Sequence, residues 1–392
     1  MSRRQECCLS QSCAATKDVS SFPIEKQPII ALLRREMEYL EAVSRCEHVL
    51  PMPTLHSQWR TNIFEWFYKI IDHFVLHRAV VSVAMDYLDR FLLLQELHRF
   101  NATLNDTASQ STYSDAATNL KTYQLAAMTS LYIAMKVHAG NEDGPATSPW
   151  KIQRKAFSLT GFVKLSRGSF TAQDILCMEL EILKVLEWKM NPVTPACFLD
   201  AFMSLVPSTD EIVALETVAG SIQPRERHAK KVHFSLYIYY ELARYLFELA
   251  MCIPGITPYF LTTVGGDPTN QLSSSVIAFA SASLAMDMMS TNVFSPRIRA
   301  IFLQRCVDIE AHPDNIGVSN CKRISLNSEV HTHLKKIIHQ NFVPEYVLGS
   351  LPGHDGKNPF VVACDMGMFT SIFSKTDVQP ESPTSPIEEA AI

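Results

Sequence analysis

Apolar residues recur along this chain with the period of an α-helix, and one stretch shows it most clearly. In Arg78 to Leu92, RAVVSVAMDYLDRFL, residues Val80, Val83, Ala84, Tyr87, Leu88, Phe91 and Leu92 fall at i, i+3, i+4, i+7, i+8, i+11 and i+12. That spacing is one face of a helix. Asp89 lies beside that face, and a covered carboxylate needs a counter-charge. The predicted partner is Arg60, upstream in QWRTNIFEWF, since a bidentate Arg–carboxylate pair would hold two crossing helices in register. A helix over Ser57 to Phe74 is predicted to carry Arg60, and the short HFVLHR segment joins it to the next, as antiparallel neighbours require.

The same periodicity predicts further helices. Ile30, Leu33, Met37, Leu40 and Val43 form a stripe in Pro28 to Cys46. Asn101 to Thr122 is rich in Ser, Thr, Asn and Asp and reads as a loop. Tyr123 to Val137 is apolar almost all round, which places it inside a bundle, with Ala126, Ala127 and Ala134 allowing close approach. Gly140 to Pro149 stops that helix, and a short one is predicted from Trp150 to Thr160. Thr171-x-x-Asp174 is a capping-box pattern. It opens a helix striped by Ile175, Met178, Ile182 and Leu186 and widened by Leu176, Leu180 and Leu183.

Asn191 to Pro195 then breaks the pattern, and Pro207 to Lys231 reads as a polar linker with a helical turn at Glu211 to Ala219. Further helices are predicted at His233 to Cys252, Ser275 to Met289, Pro296 to Ala311 and Ser328 to Asn341. Ser295 before Pro296 is a helix-start signal. SSVIAFASASLAM repeats the small, apolar character of the Tyr123 helix, the sign of a duplicated unit. The chain is therefore read as all-α: a disordered N-terminus (1–24), an N-terminal helix (25–50), two tandem five-helix units (51–192 and 193–345) and a Pro/Gly/Ser-rich disordered tail (346–392).

Composition narrows the function. With 392 residues, 47% of them hydrophobic, there is enough apolar material for two cores. The net charge of −5 argues against a nucleic-acid surface, and the one basic cluster, Arg225 to Lys231, reads as a solvated linker. The ten cysteines contain no CxxC pair and read as free thiols of a reducing compartment. No signal-type apolar segment and no run of about 18 apolar residues occurs, so cytoplasm, nucleus or both is expected and a membrane is not. Catalysis is not visible. There is no Gly-rich phosphate loop and no GxSxG, and His331 and His333 are two apart, on different helix faces. No enzyme activity, cofactor or metal is expected.

Several of these pieces together resemble the cyclin box. They are Arg60 to Trp66, Ala84 to Leu92 (AMDYLDRFL), LAAMTSLYIAMK at Leu125 to Lys136, and DILCMELEILKVLEW at Asp174 to Trp188. TPACFLDAF after Asn191 is similar to the start of the second cyclin fold, and LLRREMEYL looks like the segment leading into D-type cyclin boxes. The resemblance implies two cyclin-like folds and a regulatory subunit that binds and activates a cyclin-dependent serine/threonine kinase to control cell-cycle progression. The rival readings are a cyclin of a transcription or nutrient-signalling kinase, and a cyclin-fold transcription adaptor on DNA, which the net charge disfavours.

The resemblance also assigns residues. Lys136 and Glu179 match the Lys and Glu with which cyclins grip the αC region of the kinase through backbone hydrogen bonds. Arg60 and Asp89 are assigned to holding the fold. Trp59, Ile63 and Trp66 match the groove that in several cyclins docks Arg-x-Leu motifs of substrates or inhibitors, although Asn62 stands where an aliphatic residue is usual. Val137, His138 and Ala139 follow the lysine where many cyclins have an aromatic residue and two acids. Ser382-Pro and Ser385-Pro, flanked by Glu381, Glu388 and Glu389, resemble proline-directed phosphosites of a turnover signal.

Overall fold

The structure is a computed structural model that describes residues 27–44, 52–74, 76–104, 116, 119–138, 158–217, 225–253, 256–257, 272–310, 329–343 and 358–370. These hold α1 (Gln27–Ser44), α2 (Thr54–His73), α3 (Ala79–Leu104), α4 (Leu120–His138), α5 (Leu159–Leu165), α6 (Ala172–Val185), α7 (Pro195–Met203), α8 (Thr209–Thr217), α9 (Arg225–Cys252), α10 (Ser274–Met288), α11 (Pro296–Glu310), α12 (Glu329–Gln340) and α13 (Pro359–Asp365). Among the described residues the only β pairing is one antiparallel bridge, Met289 to Phe369. The protein is all-α.

Each half is built round one apolar helix. In the first, α4 is buried at every position from Ala126 to Met135, and α3 and α6 pack on it. The small side chains of Ala126, Ala127 and Ala134, all fully buried, let those neighbours close in. In the second, α10 plays the same part, buried from Ile277 to Ala282 and again at Leu284, Ala285, Met286 and Met288, with α7, α9 and α12 around it. The small-and-apolar repeat seen in the sequence thus marks the central helix of each half.

Local signals explain most helix starts. Thr171 Oγ1 accepts from the Asp174 amide while Asp174 accepts from the Thr171 amide, the reciprocal capping box. Ser273 caps α10, and Ser295 Oγ accepts from the Ile298 amide ahead of α11. Three sequence expectations change. The Pro207 to Lys231 linker holds α8 and the first seven residues of α9. A second capping box starts α8, with the Ser208 amide donating to Glu211 at 2.7 Å and the Glu211 amide to Ser208 Oγ at 3.3 Å. The loop of 101–122 is helical at both ends, since α3 runs to Leu104 and α4 begins at Leu120. Residues 150–157 of the short helix expected at Trp150 to Thr160 lie outside the described set; the next described helix is α5 at Leu159–Leu165, capped by Ser158.

The third change concerns the tail. Residues 358–370 form α13 and a strap that buries Phe360, Ala363 and Met368. The Ser290 amide donates to the Met368 carbonyl at 2.7 Å, and the Thr370 amide to that of Met288 at 2.9 Å. The three buried apolar side chains outweigh the low helix propensity of the surrounding Pro and Gly. Residues 1–24 and 371–392 lie outside the described set.

The two halves meet over a polar seam. Arg60 and Asp89 are both buried and 3.1 Å apart. Arg60 Nη1 also donates to the Met251 carbonyl, and Thr61 Oγ1 donates to that of Cys252 at 2.9 Å. These are carbonyls of the last turn of α9, which have no partner within their own helix. Asp89 accepts from Thr257 Oγ1 at 3.0 Å and from His56 Nε2 at 2.7 Å. His56 Nδ1 then accepts from Tyr123 Oη at 2.9 Å. Burial pushes the Asp89 carboxyl up, but Arg60 and the His56 hydrogen bond outweigh it and hold it at about 2. Burial keeps His56 below its ordinary value despite Asp89, and because the ionised Asp89 carboxylate can only accept, Nε2 carries a proton.

Side chains of α1, α3 and α4 hold the link between the halves. Arg90 donates to the Lys189 carbonyl at 2.8 Å, Tyr87 Oη to Met190 at 2.6 Å and Arg35 to Asn191 at 2.6 Å. Tyr39 Oη reaches the same Asn191 carbonyl at 3.0 Å. These contacts fix the chain just after Glu187 and Trp188, which adopt left-handed φ values of 50° and 59°, a conformation that side chains keep only when neighbours impose it.

Candidate functional site

Lys136 closes α4, where a cation is favoured by the carbonyl end of the helix. Its ammonium lies 2.9 Å from Glu179 Oε1 on α6 and 5.5 Å from the centre of the Tyr132 ring. Phe162 of α5 packs edge-on against that tyrosine at 5.0 Å, so all three helices shape the site. The hydrogen bond that Lys136 donates to Glu179 raises the lysine pKa above its ordinary value. The lysine side chain is 57% exposed and the glutamate only 10%.

Around this ion pair the surface is apolar. Leu176 and Leu180 of α6 are exposed at 42% and 46%, and Val137 of α4 at 38%. Leu176, Glu179 and Leu180 stand at i, i+3 and i+4, one face of α6. A charged pair ringed by exposed leucines is a surface suited to a protein partner, with apolar area to bury and directional donors and acceptors to set register. Among the described residues no three His, Cys, Asp or Glu side chains gather as metal ligands, and no helix is long and apolar enough to cross a membrane.

The cyclin N-terminal domain matches residues 29–191, the stretch that contains α2 to α6 and both members of the pair. Residues 29–191 thus carry a cyclin N-terminal domain. G1/S-specific cyclin-E1 of Danio rerio is 27% identical over 153 residues, which is 39% of this chain and 29% of that protein. Cyclin-D2-2 of Oryza sativa subsp. japonica is 26% identical over 183 residues, 46% of this chain and 42% of that one. The matched part thus spans less than half of each relative. A viral cyclin from herpesvirus saimiri superposes at a TM-score of 0.43 with 15% identity, over 79% of this chain and 98% of that structure, too distant to argue from.

Within this cyclin box the structure brings Lys136 to Glu179, and Arg60 to Asp89. The Trp59, Ile63 and Trp66 set lies along α2, with Ile63 buried and the two tryptophans half-buried against the core. The exposed residues of that helix beside them are Asn62, Glu65 and Lys69. Ser382 and Ser385 lie outside the described residues. The sequence reading missed His56, Thr61, Thr257 and Glu36. Glu36 of α1 accepts from the Ser275 amide at 2.9 Å and from Ser275 Oγ at 2.6 Å. Only the buried position of Glu36 on the helical stripe, next to Met37, could have flagged it.

Proposed function

We propose that this cyclin-family chain is the regulatory, non-catalytic subunit of a cyclin-dependent serine/threonine kinase and that it acts in cell-cycle progression. The observation that carries the proposal is the Lys136–Glu179 pair set among Val137, Leu176 and Leu180. Lys136 has three N–H donors on a flexible stem and Glu179 has carboxylate lone pairs, so the pair can bind main-chain carbonyls and amides of a partner while the leucines are covered. The kinase αC region is the proposed occupant. Because the surface fits the active arrangement better than the inactive one, binding shifts the kinase population toward the state in which its β3 Lys–αC Glu pair is formed.

The names of the matched relatives, G1/S-specific cyclin-E1 and cyclin-D2-2, support the cell-cycle assignment. The same reading places the protein in nucleus or cytoplasm, gives Trp59 and Trp66 a part in docking Arg-x-Leu motifs, and makes Ser382 and Ser385 targets of a proline-directed kinase. The test is capture of purified cyclin-dependent kinases by the wild-type chain and by a Lys136→Ala/Glu179→Ala variant. Wild type should hold one kinase and raise its activity on a histone-type substrate, and the variant, checked by circular dichroism to be folded, should lose both. Equal capture by the variant would defeat the assignment.

A further inference from the structure

Two buried carboxyls lie in the seam between the halves, one near each end of the inter-half contacts, and the kinase reading uses neither. Glu36, on α1, is 7% exposed and presses on the first turn of α10 through Ser275. Facing it are the amides of Ser274 and Ser275 and the hydroxyl of Ser275. Its neighbours on α1, Arg34 and Glu38, point outward, and Arg35 is taken up by the Asn191 carbonyl. On α3, Asp86 and Arg90 pair with one another at 2.8 Å. On α7, Asp200 accepts from Tyr240. Among the described residues no cation is placed to neutralise Glu36.

Glu248, on α9, is 5% exposed. Arg78, in the turn before α3, reaches its Oε2 at 2.7 Å and also lies 3.2 Å from Asp72 of α2. Arg78 stacks over the Tyr68 ring at 4.3 Å. On α9 itself, Arg244 attracts Glu248 and Glu241 repels it, as does Asp72 from α2. Glu248 Oε1 and Tyr68 Oη are both buried without a hydrogen-bond partner. One arginine is thus shared between two acids, and half of the Glu248 carboxyl is left without a donor.

We propose that this seam is a proton-sensitive joint: protonated Glu36 and Glu248 hold the N-terminal helix and the second half against the cyclin box, and ionisation of either loosens its end of the seam. Burial is the main cause in both cases, raising each carboxyl to about 7 against the opposing pull of Ser275 on Glu36 and of Arg78 and Arg244 on Glu248. In an opened seam, where water reaches them, both return to the ordinary carboxylate value near 4.5. The closed seam therefore binds protons more tightly than the open one. Closure is fully favoured below about pH 4.5 and is lost progressively as pH rises through about 7. Asp89, at the centre, is held at about 2 and stays ionised throughout this range.

The experiment is amide hydrogen exchange of the full chain at pH 6 and pH 8, corrected for intrinsic exchange rates. It reads peptides from α1 (27–44), the start of α10 and the end of α9. Linkage predicts an opening equilibrium about tenfold larger at pH 8 than at pH 6 for each carboxyl. Glu36→Gln, a neutral isostere, should abolish the change in α1 and the start of α10 while leaving that at the end of α9. Glu248→Gln should do the reverse, and Glu38→Gln, on the exposed side of α1, should change nothing. Wild-type protection independent of pH would overturn the proposal, even if neither Gln variant folded. So would a full tenfold response retained in either Gln variant.

Discussion

Asp89 shows how much one side chain can organise. It takes hydrogen bonds from His56, Arg60 and Thr257, so removing it leaves a buried guanidinium and two buried donors without an acceptor. Asp89→Ala is expected to lower stability by about 3–5 kcal/mol, the usual cost of breaking a buried pair from one side, in a urea titration; a loss under about 1 kcal/mol would show the network to be incidental. The carboxyl is held down at about 2, so its contribution is complete above the unfolded value near 4 and disappears as pH falls from about 4 to 2. Wild type should thus lose stability across that window more steeply than Asp89→Asn, which has no charge to neutralise. Arg60 and Asp89 were readable as partners because a carboxylate beside an apolar stripe demands a cation and only one arginine sat in the neighbouring helix pattern. His56 and Thr257 were not readable. His56 lies in the first turn of α2, before the apolar period is established, and Thr257 is 168 residues away from Asp89 in sequence, a distance no local pattern bridges.

Helices with a sustained apolar face, or apolar all round like α4 and α10, were legible; polar or very short ones were not. The Thr171–Asp174 box fixed the start of α6 from sequence alone. Thr171→Ala should cost about 1 kcal/mol, read as a lower melting temperature, while kinase capture stays unchanged because the Lys136–Glu179 pair lies further along the helix; a capture defect would mean that the cap also shapes the face. The start of α9 was misread because its first seven residues, RERHAKK, are almost entirely polar. They extend a helix whose buried residues begin at Val232. The equivalent box at Ser208–Glu211 was present in the sequence and would have placed α8. The strap at 358–370 escaped notice because a seven-residue helix shows barely two turns of period. Phe360 is nevertheless 2% exposed and stacks on Phe369 at 6.2 Å. Phe360→Ala should destabilise by about 3 kcal/mol and increase hydrogen exchange at Met288 to Ser290; unchanged exchange there would show the strap to be dispensable.

Taken as one object, the described helices share one apolar core, and the seam between the halves adds buried polar contacts to it. The apolar periods disclosed the two central helices, but contacts between residues so far apart in sequence left no local pattern to read. The seam places the N-terminal helix, the link at 189–191 and the end of α9 against the cyclin box, leaving the α4–α6 face turned outward with its ion pair and leucines. The account stands or falls on that face. The most direct measurement is a calorimetric titration of a purified PSTAIRE-type cyclin-dependent kinase with the full chain and with its Lys136→Ala/Glu179→Ala variant. Truncating charged partners at an interface typically costs 2 kcal/mol or more. Wild type should therefore bind, and the variant, checked by circular dichroism to be folded, should bind at least about 30-fold more weakly. Equal affinity for the two proteins, or no binding by wild type to any such kinase, would contradict it.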